Sequence, residues 1–271
     1  MDRCCSNRYS MLLYSNKTLE KIYRLMKEKF LTYPNLPENK VTLAAVGNYP
    51  EIITALGNEG IRTISFSHDS LPDETKNHAD MLLCHTGKNR IFTVPGIDSK
   101  ALLKEGFELF TSEEIGNSYP NDVKLNVAVG KGFYICNPKT IDSNLSNTLK
   151  EAGLDRTEVN QGYTKCSVCF VANKAVITED PSIYKALRKT EADVLLISQG
   201  DIYLSEKHSG FFGGSSGKIS KDTLAVSGEL KYHKDGDRII NFCHAHNVKI
   251  KELRKGRIVD IGSILPLLET R

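Results

Sequence analysis

The sequence predicts an α/β propeller of five repeated units, a ring sealed by the two ends of the chain. Three segments carry the repeat, each with an apolar run, a tight Gly-Lys or Asn-Lys turn and a second apolar run: residues 81–94, 125–136 and 166–178. When the second runs are aligned, Phe92, Tyr134 and Val176 recur at a spacing of 42 residues. A period of this length is typical of propellers, solenoids and arrays. We therefore expect the functional site where the repeats meet.

Residues 1–40 are predicted to form an N-terminal helical extension, and residues 41–271 a single propeller domain. An amphipathic helix is expected over residues 16–30, because apolar residues recur there at helical spacing: Leu19, Ile22, Leu25, Met26 and Phe30. Pro34 and Pro37 follow and end the helix. The next elements are a strand at 41–46, a helix at 50–56 and a strand at 61–66, which make a unit without its first strand.

Four complete units follow, each in the order strand, turn, strand, helix, strand. The first has hairpin 81–94, helix 99–104 and strand 107–110; the second has hairpin 125–136 and helix 143–151; the third has hairpin 166–178, helix 181–189 and strand 193–197; the fourth, after a polar insertion at 198–209, has hairpin 213–226, helix 238–246 and strand 248–253. A last apolar run at 257–266 is predicted to pair with the strand at 41, which would remove an exposed sheet edge.

Composition narrows the class of protein. The chain has 271 residues, 40% of them hydrophobic and 25% charged, as in an ordinary globular protein. A net charge of +3, with both signs interleaved, does not predict a nucleic-acid partner. The sequence has neither a bilayer-length apolar stretch nor a signal-like start, and its seven cysteines are scattered, so we expect a cytoplasmic protein with reduced thiols and no membrane association. The oligomeric state stays open.

Polar residues inside or beside the apolar runs are the candidates for a pocket at the centre of the ring. Alternate side chains of an inner strand turn toward the axis, which selects His78, Asp80, Asn126, Cys166, Ser167, Ser215, Ser216, Asp260 and Ser263. Asp80 and Asp260 come from units that are neighbours in the closed ring. Two carboxylates there suit a small cationic ligand, a guanidinium or an amine. The alternative is that each Asp caps a strand or turn and binds its own backbone.

Several local motifs are interpreted as structural. Cys166 and Cys169 have CxxC spacing, but on a strand they point to opposite faces, which favours a buried core pair over zinc or redox work and leaves Cys166 the option of facing the pocket. The cluster 243–246, Cys-His-Ala-His, lies on a predicted outer helix, where packing is favoured over metal binding. The glycine-rich run 213–218 lacks the spacing of a phosphate loop. No cofactor and no metal are predicted. The hairpin-turn lysines are expected to be solvated: Lys88, Lys131, Lys174 and Lys221.

The segment 212–228, Phe-Gly-Gly-Ser-Ser-Gly-Lys-Ile-Ser-Lys-Asp-Thr-Leu-Ala-Val-Ser-Gly, resembles the Glu-Gly-Gly-Asp hairpin of deiminases. With five strand-helix units, it makes the chain similar to the pentein fold of the guanidine-modifying superfamily, which includes arginine and agmatine deiminases, amidinotransferases and dimethylargininase. Segments 160–166 and 260–266 resemble a divergent, poorly characterised bacterial branch of that fold.

The resemblance implies a nucleophilic Cys in the last unit, beside a His and carboxylates that hold the guanidinium. This chain has Gly262 and Ser263 where that Cys is expected, and Phe212 and Ser215 in place of the Glu and Asp. Two functions stay open. One is a binding or assembly module without catalysis, as in the ribosome anti-association factor of the same fold. The other is a divergent guanidine hydrolase that uses Cys166 or Ser263 as nucleophile with His78 nearby.

Overall fold

The computed structural model describes residues 27–271, and within them sixteen strands form five small sheets. The strands are β1 Glu28–Phe30, β2 Val41–Gly47, β3 Arg62–Phe66, β4 Leu83–Gly87, β5 Arg90–Thr93, β6 Glu108–Thr111, β7 Ala128–Val129, β8 Phe133–Cys136, β9 Asp155–Glu158, β10 Cys169–Ala172, β11 Ala175–Thr178, β12 Asp193–Leu196, β13 Ser216–Ser220, β14 Thr223–Val226, β15 Lys249–Glu252 and β16 Leu265–Thr270. The helices are α1 Pro50–Asn58, α2 Ala79–Leu82, α3 Lys100–Glu105, α4 Ser143–Glu151, α5 Pro181–Leu187 and α6 Gly236–Ala245, with a 3-10 turn at Leu230–Tyr232.

Four of the sheets repeat one arrangement. Their strand orders are β4-β5-β6, β7-β8-β9, β10-β11-β12 and β13-β14-β15. In each, the first two strands form an antiparallel hairpin, and the third strand returns parallel to the second after a helix. The predicted unit of strand, turn, strand, helix and strand is therefore confirmed. Phe92, Tyr134 and Val176 are buried in the middle strands of three of these sheets.

The fifth sheet joins the two ends of the chain, in the order β1-β16-β2-β3. The C-terminal strand pairs antiparallel with β2, placing Leu265 opposite Ala45 and Glu269 opposite Val41. The predicted pairing of the last strand with the strand at 41 is confirmed, but its predicted range, 257–266, is wrong. Gly262 and Ser263 both have positive φ, which interrupts an extended strand. Residues 257–264 form instead an irregular segment that carries Asp260.

Two other predicted elements need correction. The amphipathic helix over 16–30 lies largely outside the described residues, but its predicted end is wrong, because Glu28–Phe30 is a strand paired with β16. The hairpin predicted from residue 81 begins later, since Met81 belongs to the single helical turn α2.

A strand missed by the sequence analysis, β9, has the sequence Asp-Arg-Thr-Glu, whose charged side chains give no apolar alternation. Both β1 and β9 are edge strands, and their pairing with a neighbouring strand, not their residue pattern, makes them extended.

The cysteine and histidine motifs at 166–169 and 243–246 include residues that pack in the core or form an ion pair on the surface. Cys169 and Cys243 are both buried in one hydrophobic cluster, and His246 Nε2 lies 2.9 Å from Asp193 Oδ2 on the surface. The four turn lysines are all exposed, as expected. Within the described part of the chain, no helix combines the length and apolarity that a membrane span requires.

Candidate functional site

A cavity of about 310 Å³ opens where α2, the loop before β10, the loop before β13 and the segment 257–264 meet. His78, Cys166 and Asp260 line its polar end. They come from three separate units of the fold. A volume of this size accepts a small organic ligand.

Asp260 sits in a backbone cradle at the polar end. Its Oδ2 accepts the N–H of Phe211 at 2.9 Å, and its Oδ1 accepts the N–H of Gly262 at 3.1 Å. A methyl group added at Gly210 or Gly214 would overlap the Asp260 side chain. The glycine-rich run therefore lets the backbone come close to this carboxylate. Burial raises the pKa of Asp260, with His78 opposing the shift and the Asp80 charge adding to it.

Asp80 lies behind Cys166 and joins two buried groups. Its Oδ2 accepts the Ser263 hydroxyl at 2.5 Å and the Cys166 thiol at 3.2 Å. The Ser263 oxygen in turn accepts the ammonium of Lys165 at 2.9 Å, so Ser263 connects a buried cation to a buried anion. Asp80 Oδ1 is buried with no hydrogen-bond partner among the described residues. One oxygen of Asp80 is thus saturated and the other is free.

Asn126 holds the Cys166 loop in place. Its Oδ1 accepts the N–H groups of Lys165 at 2.7 Å and Cys166 at 3.2 Å, while its Nδ2 donates to the Asp80 carbonyl at 3.1 Å. The same Nδ2 lies 3.1 Å from the Cys166 sulfur. All of these groups are buried. Asn126 was predicted as a ligand-binding residue, but its side-chain amide is hydrogen-bonded to other groups of the protein.

His78 is the least satisfied side chain of the site. It is 1% exposed, and neither ring nitrogen has a hydrogen-bond partner within the described residues. Its Nδ1 lies 3.7 Å from Asp260 Oδ1, and one ring nitrogen, an Asp80 oxygen and the Cys166 sulfur all lie within 4.8 Å of one another. Gly262, with φ +69°, packs directly on the His78 backbone, where any side chain would overlap.

Aromatic rings form a wall of the cavity. The rings of Tyr163 and Phe211 stack with centroids 6.0 Å apart and planes inclined by 27°. The Tyr163 hydroxyl donates to Asp122 Oδ2 at 2.8 Å, which fixes the ring. Such a wall beside a carboxylate is suited to a flat organic cation.

The polar insertion predicted at 198–209 forms part of the cavity lining. Leu204, His208 and Ser209 contribute to its lining. His208 Nδ1 lies 2.9 Å from Oε1 of Glu74, which also lines the cavity. The insertion therefore belongs to the site instead of being a peripheral loop.

Cys166 faces the cavity as a thiol. Burial raises its pKa well above the usual range, and the charges of Asp80 and Asp260 raise it further. A reactive cysteine needs the opposite environment, a nearby positive charge that stabilises the thiolate. In the unliganded protein Cys166 is a hydrogen-bond donor to Asp80 and a weak nucleophile.

Four buried polar residues do not line the cavity: Ser167, Ser215 and Ser216, which were predicted to do so, and His85. The hydroxyls of Ser215 and Ser216 both donate to the Phe212 carbonyl, at 2.9 and 2.8 Å, and so cap their own turn. His85 turns away, with Nε2 2.8 Å from the Lys88 carbonyl oxygen, and burial lowers its pKa to about 4. Ser167 is buried behind the cavity, and its hydroxyl has no partner among the described residues.

Four residues around the site were not predicted from the sequence: Tyr163, Lys165, Glu179 and Phe211. Tyr163 and Lys165 belong to segment 160–166, which was singled out in the sequence only for its resemblance to a branch of the pentein fold. Glu179 is buried at the end of β11, where its Oε1 accepts the Phe212 N–H at 3.0 Å. Burial raises the pKa of Glu179 to about 8. An acidic residue after an apolar strand gives no signal that it is buried.

Solved structures with a similar fold are named as a deiminase and as amidinotransferases. Agmatine deiminase from C. jejuni aligns over 83% of this chain and 90% of its own, with 13% identity and a TM-score of 0.51. Inosamine-phosphate amidinotransferase StrB1 from Streptomyces griseus aligns over 83% and 91%, with 9% identity and a TM-score of 0.52. The amidinotransferase SxtG from Microseira wollei aligns over 82% and 91%, with 10% identity and a TM-score of 0.50. At these identities the comparison shows the fold.

The chain therefore has a mixed α/β fold that resembles these pentein structures, as expected from the sequence. The chain belongs to a family of unknown function, DUF6873, whose profile matches residues 45–265. A search of curated proteins gave no match.

Proposed function

We propose that the cavity binds a small organic cation, a guanidinium or an amine, with Asp260 as its anionic partner. The observation that carries the proposal is a buried carboxylate at the polar end of a cavity of about 310 Å³ with an aromatic wall. Carboxylates recognise guanidinium and ammonium groups by charge-assisted hydrogen bonds, and aromatic faces attract the same cations. Each Asp260 oxygen keeps a lone pair beyond its bond to the backbone.

Neighbouring charges support a cationic ligand over an anionic one. Asp80 lies close enough to raise the pKa of Asp260, so the two carboxylates repel each other. A bound cation would relieve that repulsion. The ammonium of Lys165 is engaged by Ser263 on the far side of Asp80 and is not among the residues that line the cavity.

The proposal includes the finer architecture predicted from the repeats. The five sheets would be the blades of an α/β propeller over residues 41–271, sealed by the pairing of β16 with β2. Residues 1–40 would be an extension whose last part adds β1 to the sealing sheet. The free, buried state of the five described cysteines supports the predicted cytoplasmic location.

We propose binding without the superfamily's thiolate chemistry. The environment of Cys166 raises its pKa, and no cysteine occupies the position of Gly262 or Ser263. A second candidate, a divergent guanidine hydrolase, is favoured by the proximity of Cys166 to His78 and Asp80. In that case a bound guanidinium would have to stabilise the thiolate that attacks its carbon.

A thermal-shift series tests the proposal. Arginine, agmatine, methylarginines and simple amines are compared with citrulline, in which a neutral urea replaces the guanidinium. A ligand at about one hundred times its Kd adds about 2.7 kcal/mol of stability, which for a chain of this size is a shift of about 5–10 °C. A cation should shift the Tm and citrulline should not. Equal shifts, or none with any cation, would contradict the proposal. Release of ammonia or urea from a bound guanidine would favour the hydrolase.

A further inference from the structure

The buried polar atoms of the site that lack hydrogen-bond partners among the described residues include atoms of His78 and Asp80. They form a different group from Asp260 and the aromatic wall, which would bind an organic cation. Among the described residues, neither ring nitrogen of His78 has a hydrogen-bond partner, nor has Asp80 Oδ1, and all three atoms are buried. Buried polar groups are normally hydrogen-bonded, because leaving one unpaired costs about 1–3 kcal/mol. Two such side chains next to each other, beside the Cys166 sulfur, need a physical reason.

We propose that His78, Asp80 and Cys166 are the protein ligands of a borderline-soft divalent cation such as Zn²⁺. Imidazole, carboxylate and thiolate are the donor types that zinc takes in proteins, and the thiolate disfavours Mg²⁺ and Ca²⁺. The inference goes beyond the proposed function, because it concerns a metal ion and uses Asp80 and Cys166, which the organic cation does not require.

The distances suit a site that tightens when the ion enters. The three donor atoms lie within 4.8 Å of one another, whereas donors on a tetrahedral zinc lie about 3.5 Å apart, given metal–ligand distances of about 2.0–2.3 Å. A movement of about 1 Å closes the difference. His78 can make this movement, and Asp80 can turn its Oδ1 toward the ion, without breaking a hydrogen bond of these atoms within the described residues.

The surroundings supply the outer parts of such a site. Asp260 Oδ1 lies 3.7 Å from His78 Nδ1, and a small approach would let it accept a ring N–H and orient the imidazole for coordination by the other nitrogen. Asn126 and Ser263 hold Cys166 and Asp80 from behind. The fourth position would face the cavity, which is the open arrangement of a zinc site that can also bind a small molecule.

Coordination changes one bond of the present structure. The Cys166 thiol proton, now donated to Asp80 Oδ2, leaves to solvent, and the sulfur lone pair binds the metal. Asp80 Oδ2 keeps the Ser263 hydroxyl, and Oδ1 becomes the carboxylate ligand.

Cobalt substitution tests the inference directly, because a Co²⁺–thiolate bond absorbs in the near ultraviolet and a Co²⁺ ion without sulfur does not. The full chain, with Cys4 and Cys5 changed to Ser to remove sulfur outside the described residues, is treated with a chelator and titrated with Co²⁺. We expect one equivalent to give the sulfur band and one equivalent of Zn²⁺ to abolish it. Cys166→Ser should lose the band. The matched variant Cys169→Ser, which changes a buried core cysteine three residues away, should keep it.

His78→Gln and Asp80→Asn should each weaken Co²⁺ binding at least about tenfold while leaving Cys166 in place. If Cys166→Ser fails to fold, X-ray absorption at the zinc edge of the unmutated chain decides, with one sulfur and at least two nitrogen or oxygen neighbours expected. No sulfur band, a band that survives Cys166→Ser in a folded protein, or a zinc shell without sulfur would overturn the inference. The organic-cation series is run on chelator-treated protein, so either proposal can fail alone.

Discussion

Replacing Glu179 by Gln should remove a pH-dependent destabilisation of the folded protein. Glu179 is 4% exposed, and its Oε2 has no hydrogen-bond partner among the described residues. Burial raises its pKa from an ordinary value of 4.5 to about 8. Glutamine keeps the shape and the acceptor for the Phe212 N–H, and it carries no charge at any pH.

The folded protein loses stability as the pH rises, because unfolding releases a proton from Glu179. The unfolded chain loses the Glu179 proton near pH 4.5, whereas the folded protein holds it to about pH 8. Stability from this group is therefore complete below pH 4.5 and falls as the pH rises to about 8. At about 1.4 kcal/mol per pH unit the loss is at most about 5 kcal/mol. Relaxation around a buried charge reduces this figure, and we expect about 2–4 kcal/mol.

Urea unfolding at several pH values between about 5 and 8 measures the effect as a difference between variant and unmutated protein. The difference cancels other buried groups, including His85, whose lowered pKa changes stability in the opposite direction between about pH 4 and 6.5. Glu179→Gln should gain about 2–4 kcal/mol relative to the unmutated protein across the range. Glu191→Gln, at an exposed side chain paired with Lys174, should show a constant difference. A constant difference for Glu179→Gln as well would refute the reasoning.

Two further predictions concern the framework of the site. Gly262→Ala forces a side chain into a left-handed conformation against His78, so it should lower the free energy of unfolding in urea by more than about 2 kcal/mol and abolish binding of the organic cation. Gly57→Ala, in α1 with open space around it, should leave the stability unchanged or raise it by up to about 1 kcal/mol. Equal stabilities of the two variants would contradict this prediction. Asn126→Ala leaves the buried N–H groups of Lys165 and Cys166 unpaired, so it should lower the free energy of unfolding by about 2–5 kcal/mol. Asn144→Ala, at an exposed position of α4, is the control. A similar small effect of both changes would contradict the role of Asn126 in holding the Cys166 loop.

Local chemistry made most of the fold predictable. The apolar runs with Gly-Lys and Asn-Lys turns identified the hairpins, and helix α4 was predicted at both ends. Asp142 accepts the N–H of Leu145 at its start, and Gly153, with positive φ, follows its end. Elements that depend on pairing with residues distant in the sequence were not predicted, or were predicted with wrong bounds. Strand β9 is charged, and the last strand begins only after the turn at Gly262 and Ser263, a non-glycine residue with φ +70°.

The candidate site was predictable as a set of residues but not as a set of bonds. Alternation along the strands selected six residues that the structure brings together: His78, Asp80, Asn126, Cys166, Asp260 and Ser263. It also selected Ser215 and Ser216, whose hydroxyls bond to a nearby carbonyl instead. Burial of Lys165 and Glu179 depends on how separate units pack, which spacing along one strand does not encode. Which atoms stay unpartnered emerges only in three dimensions.

Calorimetric titration of chelator-treated protein with agmatine or arginine, on the unmutated chain and on Asp260→Asn, tests the central claim most directly. Removing the carboxylate charge removes charge-assisted bonds worth about 1.5–3 kcal/mol, so Asp260→Asn should bind at least tenfold more weakly. Asp237→Asn, an exposed change on α6, should bind like the unmutated chain. Unchanged affinity in a folded Asp260→Asn protein, or equal affinity for citrulline, would contradict the claim that this carboxylate recognises a cation.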